Sequence, residues 1–137
     1  MASNKNYTFE ERKEMAMEYR KQGFNCAQSV VAAFPDILHL PMDIALKLTC
    51  GLGSGYGGLG KMCGVMSAMT LLEGVRFEDS LMQRAGVYKV VRNLSHDFKN
   101  AFGSLECKDI KETEPVVPCN EVITEGIRIY HEYITNQ

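Results

Sequence analysis

From Leu81 to Phe102 the apolar side chains return at steps of three and four: Leu81, Ala85, Tyr88, Val91, Leu94, Phe98 and Phe102. That spacing is the period of one helical face, and it predicts a long helix over about Glu78 to Phe102. The rest of the chain follows the same rhythm in shorter pieces. Thr8 with Glu11 three residues later forms a capping box and opens a helix that runs to Lys21 and stops at Gly23, with Met15 and Tyr19 as its apolar pair and Ala16 beside them. Asn25 and Gln28 make a second cap for Ala27, Val30, Val31 and Phe34, which Pro35 terminates. Pro41 starts a helix through Ile44, Leu46 and Leu48; another is expected from Lys61 to Glu73, ahead of Gly74. After a polar connector, Lys111 to Val117, a last helix carries Val122, Ile123, Ile127, Tyr130 and Ile134. No segment alternates apolar and polar residues for long enough to make a strand. The expected fold is all-α: one compact helical domain over residues 1–137, a bundle of about five to six helices with a glycine-rich loop, and residues 1–7 as a flexible tail.

A chain of 137 residues buries roughly two thirds of its unfolded surface and needs no disulfides to hold together. A formal net charge of −2, with Lys and Arg scattered, leaves no footprint for nucleic acid. No run approaches the roughly 18 apolar residues of a membrane span, and the polar start from Met1 to Thr8 lacks a signal-peptide core. A cytoplasmic location is expected. Amphipathic helices of this kind serve a homodimer seam as readily as an internal core.

In that compartment structural disulfides are rare, so the five cysteines are expected to be reduced, metal-bound or catalytic. Four of them sit where a helix is predicted to begin. Cys26 follows Asn25, Cys63 follows the glycine stretch, Cys107 follows the helix-ending Gly103, and Cys119 follows Pro118. The first turn of a helix presents unpaired N–H groups and partial positive charge, which favour a thiolate. Cys107 and Cys119, twelve residues apart, bracket a connector and are placed to open and close as a disulfide or to share a metal. Cys50 ends an apolar helix, where a thiolate is disfavoured, and reads as a core residue. Zinc normally draws on C-x₂₋₄-C knuckles, and none is present. The isolated His131 reads as a surface or packing residue. Neither a G-x-S-x-G elbow nor an H-E-x-x-H motif supports hydrolysis.

Six of the ten residues from Gly51 to Gly60 are glycine. Gly53, Gly55 and Gly58 keep the G-x-G-x-x-G spacing of dinucleotide sites, and Gly55, Gly60 and Lys61 keep most of a P-loop. Both motifs need a strand in front, whereas Ile44 to Thr49 reads as helix, and Met62 replaces the magnesium-binding hydroxyl. Two uses remain for the loop. Its glycines pack closely against another segment, or its amides, at Gly57, Gly58, Gly60 and Gly64, face a thiolate, an anion or a cofactor.

The run Gly23-Phe24-Asn25-Cys26-Ala27-Gln28-Ser29-Val30, the glycine loop into Cys63-Gly64, Phe102-Gly103 before Cys107, and finally Cys119 resemble the C_GCAxxG_C_C family of redox-active proteins. The resemblance extends from about Thr8 to Ile134. It implies that Cys26, Cys63, Cys107 and Cys119 belong together and that Cys50 stands apart. The family's CGAxxG segment reads Cys63-Gly64-Val65-Met66-Ser67-Ala68 here, with Ala68 in place of a glycine.

Three functions compete. The first is a thiol redox protein, a candidate thiol oxidoreductase, in which Cys26 or Cys63 attacks and a neighbouring cysteine resolves the mixed disulfide. Its partner would be an electron donor or small-molecule ligand. The second is a metal or iron–sulfur module that uses the same four cysteines as ligands. The third is a helical binding or interaction domain with incidental cysteines.

Overall fold

The computed structural model describes residues 6–136, and among these eight helices and no strand form a single helical domain. Residues 1–5 of the expected tail lie outside the described residues. Of the remainder, Tyr7 packs its ring 5.1 Å from the Arg12 guanidinium. In chain order the helices are α1 (Phe9–Lys21), α2 (Cys26–Ala32), α3 (Pro35–Leu38), α4 (Met42–Thr49), α5 (Gly64–Arg76), α6 (Arg84–Phe102), α7 (Cys107–Lys111) and α8 (Cys119–Thr135).

Both predicted capping boxes form. Thr8 accepts from the Glu11 amide at 3.1 Å while the Glu11 carboxylate accepts from Thr8 N–H at 3.0 Å. Asn25 and Gln28 make the same exchange at 2.9 Å in both directions. Each cap supplies partners for two otherwise orphaned amides, worth about 1 kcal/mol. The second matters more for architecture, because α2 is the centre of the domain: α1, α4, α5 and α8 all pack on it, and every residue from Ala27 to Ala32 is buried. The core cluster to which it contributes also includes Phe34, Leu38, Met66, Met69, Leu72, Leu94, Phe98, Ile123 and Ile127.

Several element boundaries and faces differ from the sequence expectation, each for a visible reason. On α1 the buried positions are Arg12 and Ala16, not Met15 and Tyr19. Arg12 is only 2 % exposed because its guanidinium forks onto Asp36 at 2.8 Å and donates to the Ala33 carbonyl at 2.9 Å and to His131 Nδ1 at 3.1 Å. It also lies 4.4 Å from the Phe34 ring centre. Pro35 does more than terminate α2: it opens α3 as its first residue, where a missing N–H costs nothing. On α4 the inward residues are Ala45 and Thr49, while Ile44 and Leu48 are exposed.

The helix expected from Lys61 begins only at Gly64. Residues 61–63 are drawn out to pair with 105–107: Cys63 N–H donates to Leu105 O at 2.8 Å, and Cys107 N–H donates to Lys61 O at 2.7 Å. Gly74 fails to stop α5, which runs to Arg76, where the side chain hooks back onto Glu73 at 2.9 Å. The long helix starts at Arg84, not Glu78, because the Asp79 carboxylate takes the amides of Leu81 and Met82 at 3.1 and 3.0 Å and fixes a turn instead. Leu81 is accordingly 74 % exposed, and α6 buries only Leu94 and Phe98 fully.

Helices α5 and α8 run side by side in the same direction. Val65 meets Gly126 so closely that a methyl on that glycine would lie 2.2 Å from Val65 Cγ1. Further along, Glu73 meets Tyr130 and Tyr133. The two ends of this pair carry different polar groups.

Candidate functional site

The four family-pattern cysteines each occupy a helix start. Cys26, Cys107 and Cys119 are the first residues of α2, α7 and α8, and Cys63 is the N-cap residue of α5. All four line one pocket of about 260 Å³. Cys50 does not, and it is exposed rather than buried, so its reading as a core residue is corrected. Helix α4 passes directly into a 3₁₀ turn at Cys50–Leu52, which leaves the Cys50 side chain in solvent. What Cys50 contributes is its carbonyl, which accepts from Asn25 Nδ2 at 2.8 Å.

Within the pocket the thiols divide into two kinds. Cys26 and Cys119 are half-buried, whereas Cys63 and Cys107 are buried. Burial pushes the Cys63 thiol up to about 12, with the Val65 and Met66 amides opposing it and the nearby Cys26 and Cys107 adding to it. Removal from water outweighs the helix start here. Burial thus works against Cys63 as an attacking thiolate. Cys107 is also raised, chiefly by burial, while Lys111 on the next turn of α7 pulls it down; the proximity of Cys26 and Cys119 raises it further.

Two cationic residues, Arg20 and Lys111, share the lining, and no carboxylate does. Arg20 reaches in from α1, held by Asn120 Oδ1 at 3.0 Å and the Phe24 carbonyl at 3.2 Å. The sequence reading named neither residue. Lys111 was legible in principle, since it lies four positions after Cys107 on one helical face. Arg20 was not, because only the packing of α1 against α8 brings it there. Val65, Ile110, Val117 and Val122 form the apolar part of the wall.

The glycine loop turns out to be a packing device for this pocket. Most of its amides are spent internally: Gly57 and Gly58 N–H donate to Gly53 O, and Gly60 N–H donates to Ser54 O. The amides of Gly57, Gly58 and Gly60 therefore already have acceptors within the loop. At Gly55 the backbone is left-handed (φ +70°), and a methyl would sit 2.7 Å from Cys107 Cβ and 2.6 Å from the Lys61 nitrogen. A methyl on Gly53 would strike the Asn25 side chain at 2.5 Å. Gly64 has the most direct role. An added Cβ would lie 2.6 Å from Cys26 Sγ, so the absence of a side chain on the first residue of α5 makes room for that sulfur. Ala68, where the family pattern has glycine, is fully buried in the core and absent from the pocket wall, so its methyl takes nothing from the site.

Among the described residues no three His, Cys, Asp or Glu side chains converge closely enough to hold a metal ion. The donor set for a metal or cluster is thus not assembled in this arrangement. No helix among these residues is long and apolar enough to cross a membrane.

No curated protein and no solved structure matches the chain. A family profile does, over residues 24–133, a span that holds all four pocket cysteines and the glycine loop. The chain belongs to the C_GCAxxG_C_C family, described as "putative redox-active protein".

Proposed function

We propose that this protein carries out two-electron thiol–disulfide exchange, with Cys26 and Cys119 as the accessible thiols and Cys107 as their shared resolving partner. The observation that carries this reading is the convergence of four helix-start cysteines on one pocket that contains two cations and no carboxylate. Cys26 is the preferred attacker. Its sulfur rests against Gly64, the first residue of the 13-residue α5, and so faces the positive end of that helix. Cys107 shares the pocket with both Cys26 and Cys119, which supports it as the common second thiol. Cys63, buried and held neutral, lies behind them.

In the exchange, the Cys26 thiolate attacks one sulfur of an external disulfide and expels the other as a thiolate. Cys107 then attacks the Cys26 sulfur and releases the second half. The protein loses two electrons and two protons, and the external disulfide becomes two thiols.

Oxidation in graded disulfide buffers, trapping with iodoacetamide and peptide mass spectrometry test this assignment. The expected result is a reversible bridge from Cys107 to Cys26 or Cys119, lost in Cys107→Ser and retained in Cys63→Ser. A protein whose four cysteines stay reduced across the titration, or that purifies anaerobically with a stoichiometric metal, overturns it.

A further inference from the structure

We infer that the external oxidant is a small anionic organic disulfide, one that carries carboxylate groups on a short apolar frame. This inference rests on the thiol-exchange reading above and names the substrate class for the same site.

Three features of the pocket select that chemistry. First, its charge is of one sign: Arg20 and Lys111 line it, no Asp or Glu does, and neither cation has a carboxylate partner within salt-bridge distance among the described residues. Arg12 and Arg76, by contrast, are each forked onto a carboxylate of their own. An unpaired cation beside a pocket attracts anionic ligands and raises their rate of arrival. Second, the volume of about 260 Å³ falls just below the roughly 300–1,000 Å³ of ordinary small-molecule sites, so a whole protein disulfide loop does not enter. Third, Val65, Ile110, Val117 and Val122 face the same space, and a bare inorganic oxyanion leaves such a wall without a partner. An organic frame covers it.

The two cations lie on different elements, Arg20 near the end of α1 and Lys111 at the end of α7. A ligand with a carboxylate on each half of its disulfide can engage both cations, with the S–S bond in the pocket that the cysteines line. The exchange balances as written above: the S–S bond of the ligand breaks, a protein S–S bond forms, and two carboxylate-bearing thiols leave with the two protons of Cys26 and Cys107.

The test compares second-order rates of protein oxidation by dithiodiglycolate, which is anionic, and by cystamine, which is cationic. Each rate is divided by that of the same disulfide with 2-mercaptoethanol to remove intrinsic reactivity. The fully reduced full-length chain is expected to prefer the anionic probe by about tenfold or more at low ionic strength, as for steered encounters generally. That preference should shrink as salt is raised. Replacing both cations, Arg20→Gln with Lys111→Gln, should bring the ratio close to one. The salt titration on the wild-type protein stands alone if the double variant folds poorly. Equal rates for the two probes, or a preference that survives both salt and the double variant, overturn the substrate class while leaving thiol exchange intact. Failure of both probes to form any protein disulfide overturns the exchange reading itself.

Discussion

The two ends of the α5–α8 pair use polar chemistry in opposite ways. At the far end Glu73 is fully buried, and every oxygen is spoken for: Tyr130 and Arg76 Nε donate to Oε1 at 2.9 Å, while Tyr133 and Arg76 NH2 donate to Oε2 at 3.0 and 2.9 Å. At the near end four thiols and two cations face a pocket, and few of them are matched to one another. A closed network has no capacity left for a ligand and acts as a clasp. An open set of nucleophiles and donors is where a substrate finds partners. The same pair of helices thus carries a closed network at one end and an open pocket at the other, separated by little more than the length of α5.

The largest effect that probes this contrast is expected from Glu73→Ala. It strands the buried Tyr130 hydroxyl and takes the carboxylate from the half-buried Arg76, which keeps the Tyr133 hydroxyl, and should cost about 3–5 kcal/mol in urea denaturation. The alkylation rate of Cys26 in the fraction still folded should barely change. A large change in that rate would mean that the two ends are coupled rather than separate.

Next comes Gly64→Ala, which places a methyl against Cys26 Sγ. Overpacking of this kind costs about 1–3 kcal/mol, and the alkylation rate of Cys26 should shift with it. Gly51→Ala is the control, since nothing lies within 4 Å of its added methyl; thermal melts should show a change within about 0.5 kcal/mol. Equal costs for the two variants would remove the case for Gly64 as the seat of the sulfur.

The buried thiol adds a dependence on pH. Cys63 is held at about 12 in the folded protein, against 9.0 for an ordinary thiol. Between those values the unfolded chain loses a proton that the native state keeps, so stability falls as pH rises above 9. The slope approaches about 1.4 kcal/mol per pH unit once the unfolded thiol is ionised. Buried Tyr130, also raised, adds to the loss at higher pH. Between pH 9 and 10, Cys63→Ala should flatten the slope measured by denaturant titration; an unchanged slope would place Cys63 in contact with water.

The smallest expected effect concerns Ser29, the buried hydroxyl on α2 that finds no hydrogen-bond partner. Ser29→Ala should raise stability by about 1 kcal/mol. A loss instead would show that the centre of the domain, like its Glu73 end, depends on a polar contact.

Much of this molecule was legible in the chain because the signals are local. The capping boxes at Thr8 and Asn25 concern residues three apart, and both formed as read. The placement of the four cysteines at helix starts needed only the neighbouring caps, prolines and glycines. Errors gathered where a distant segment decides. Met15 and Tyr19 looked like the inward face of α1, but Arg12 is inside because Asp36, Ala33 and His131 come to meet it. Leu81 kept the helical rhythm of α6, yet the turn around Asp79 and the lack of a covering element leave it in solvent.

By itself, then, the sequence determined that the chain is helical, where its helices are capped, and that four cysteines out of five stand at helix starts. These are consequences of backbone hydrogen bonding over a few residues, and they do not depend on what lies across the core. The tertiary structure decided how deeply each of those cysteines is buried and what surrounds it. It turned the glycines from candidate anion ligands into clearance for Asn25, Cys107 and the Cys26 sulfur, and it brought Arg20 from α1 beside thiols from four other elements. It also separated Cys63 from the accessible thiols. A helix start offers each of them some partial positive charge, and at Cys63 the loss of water outweighs it.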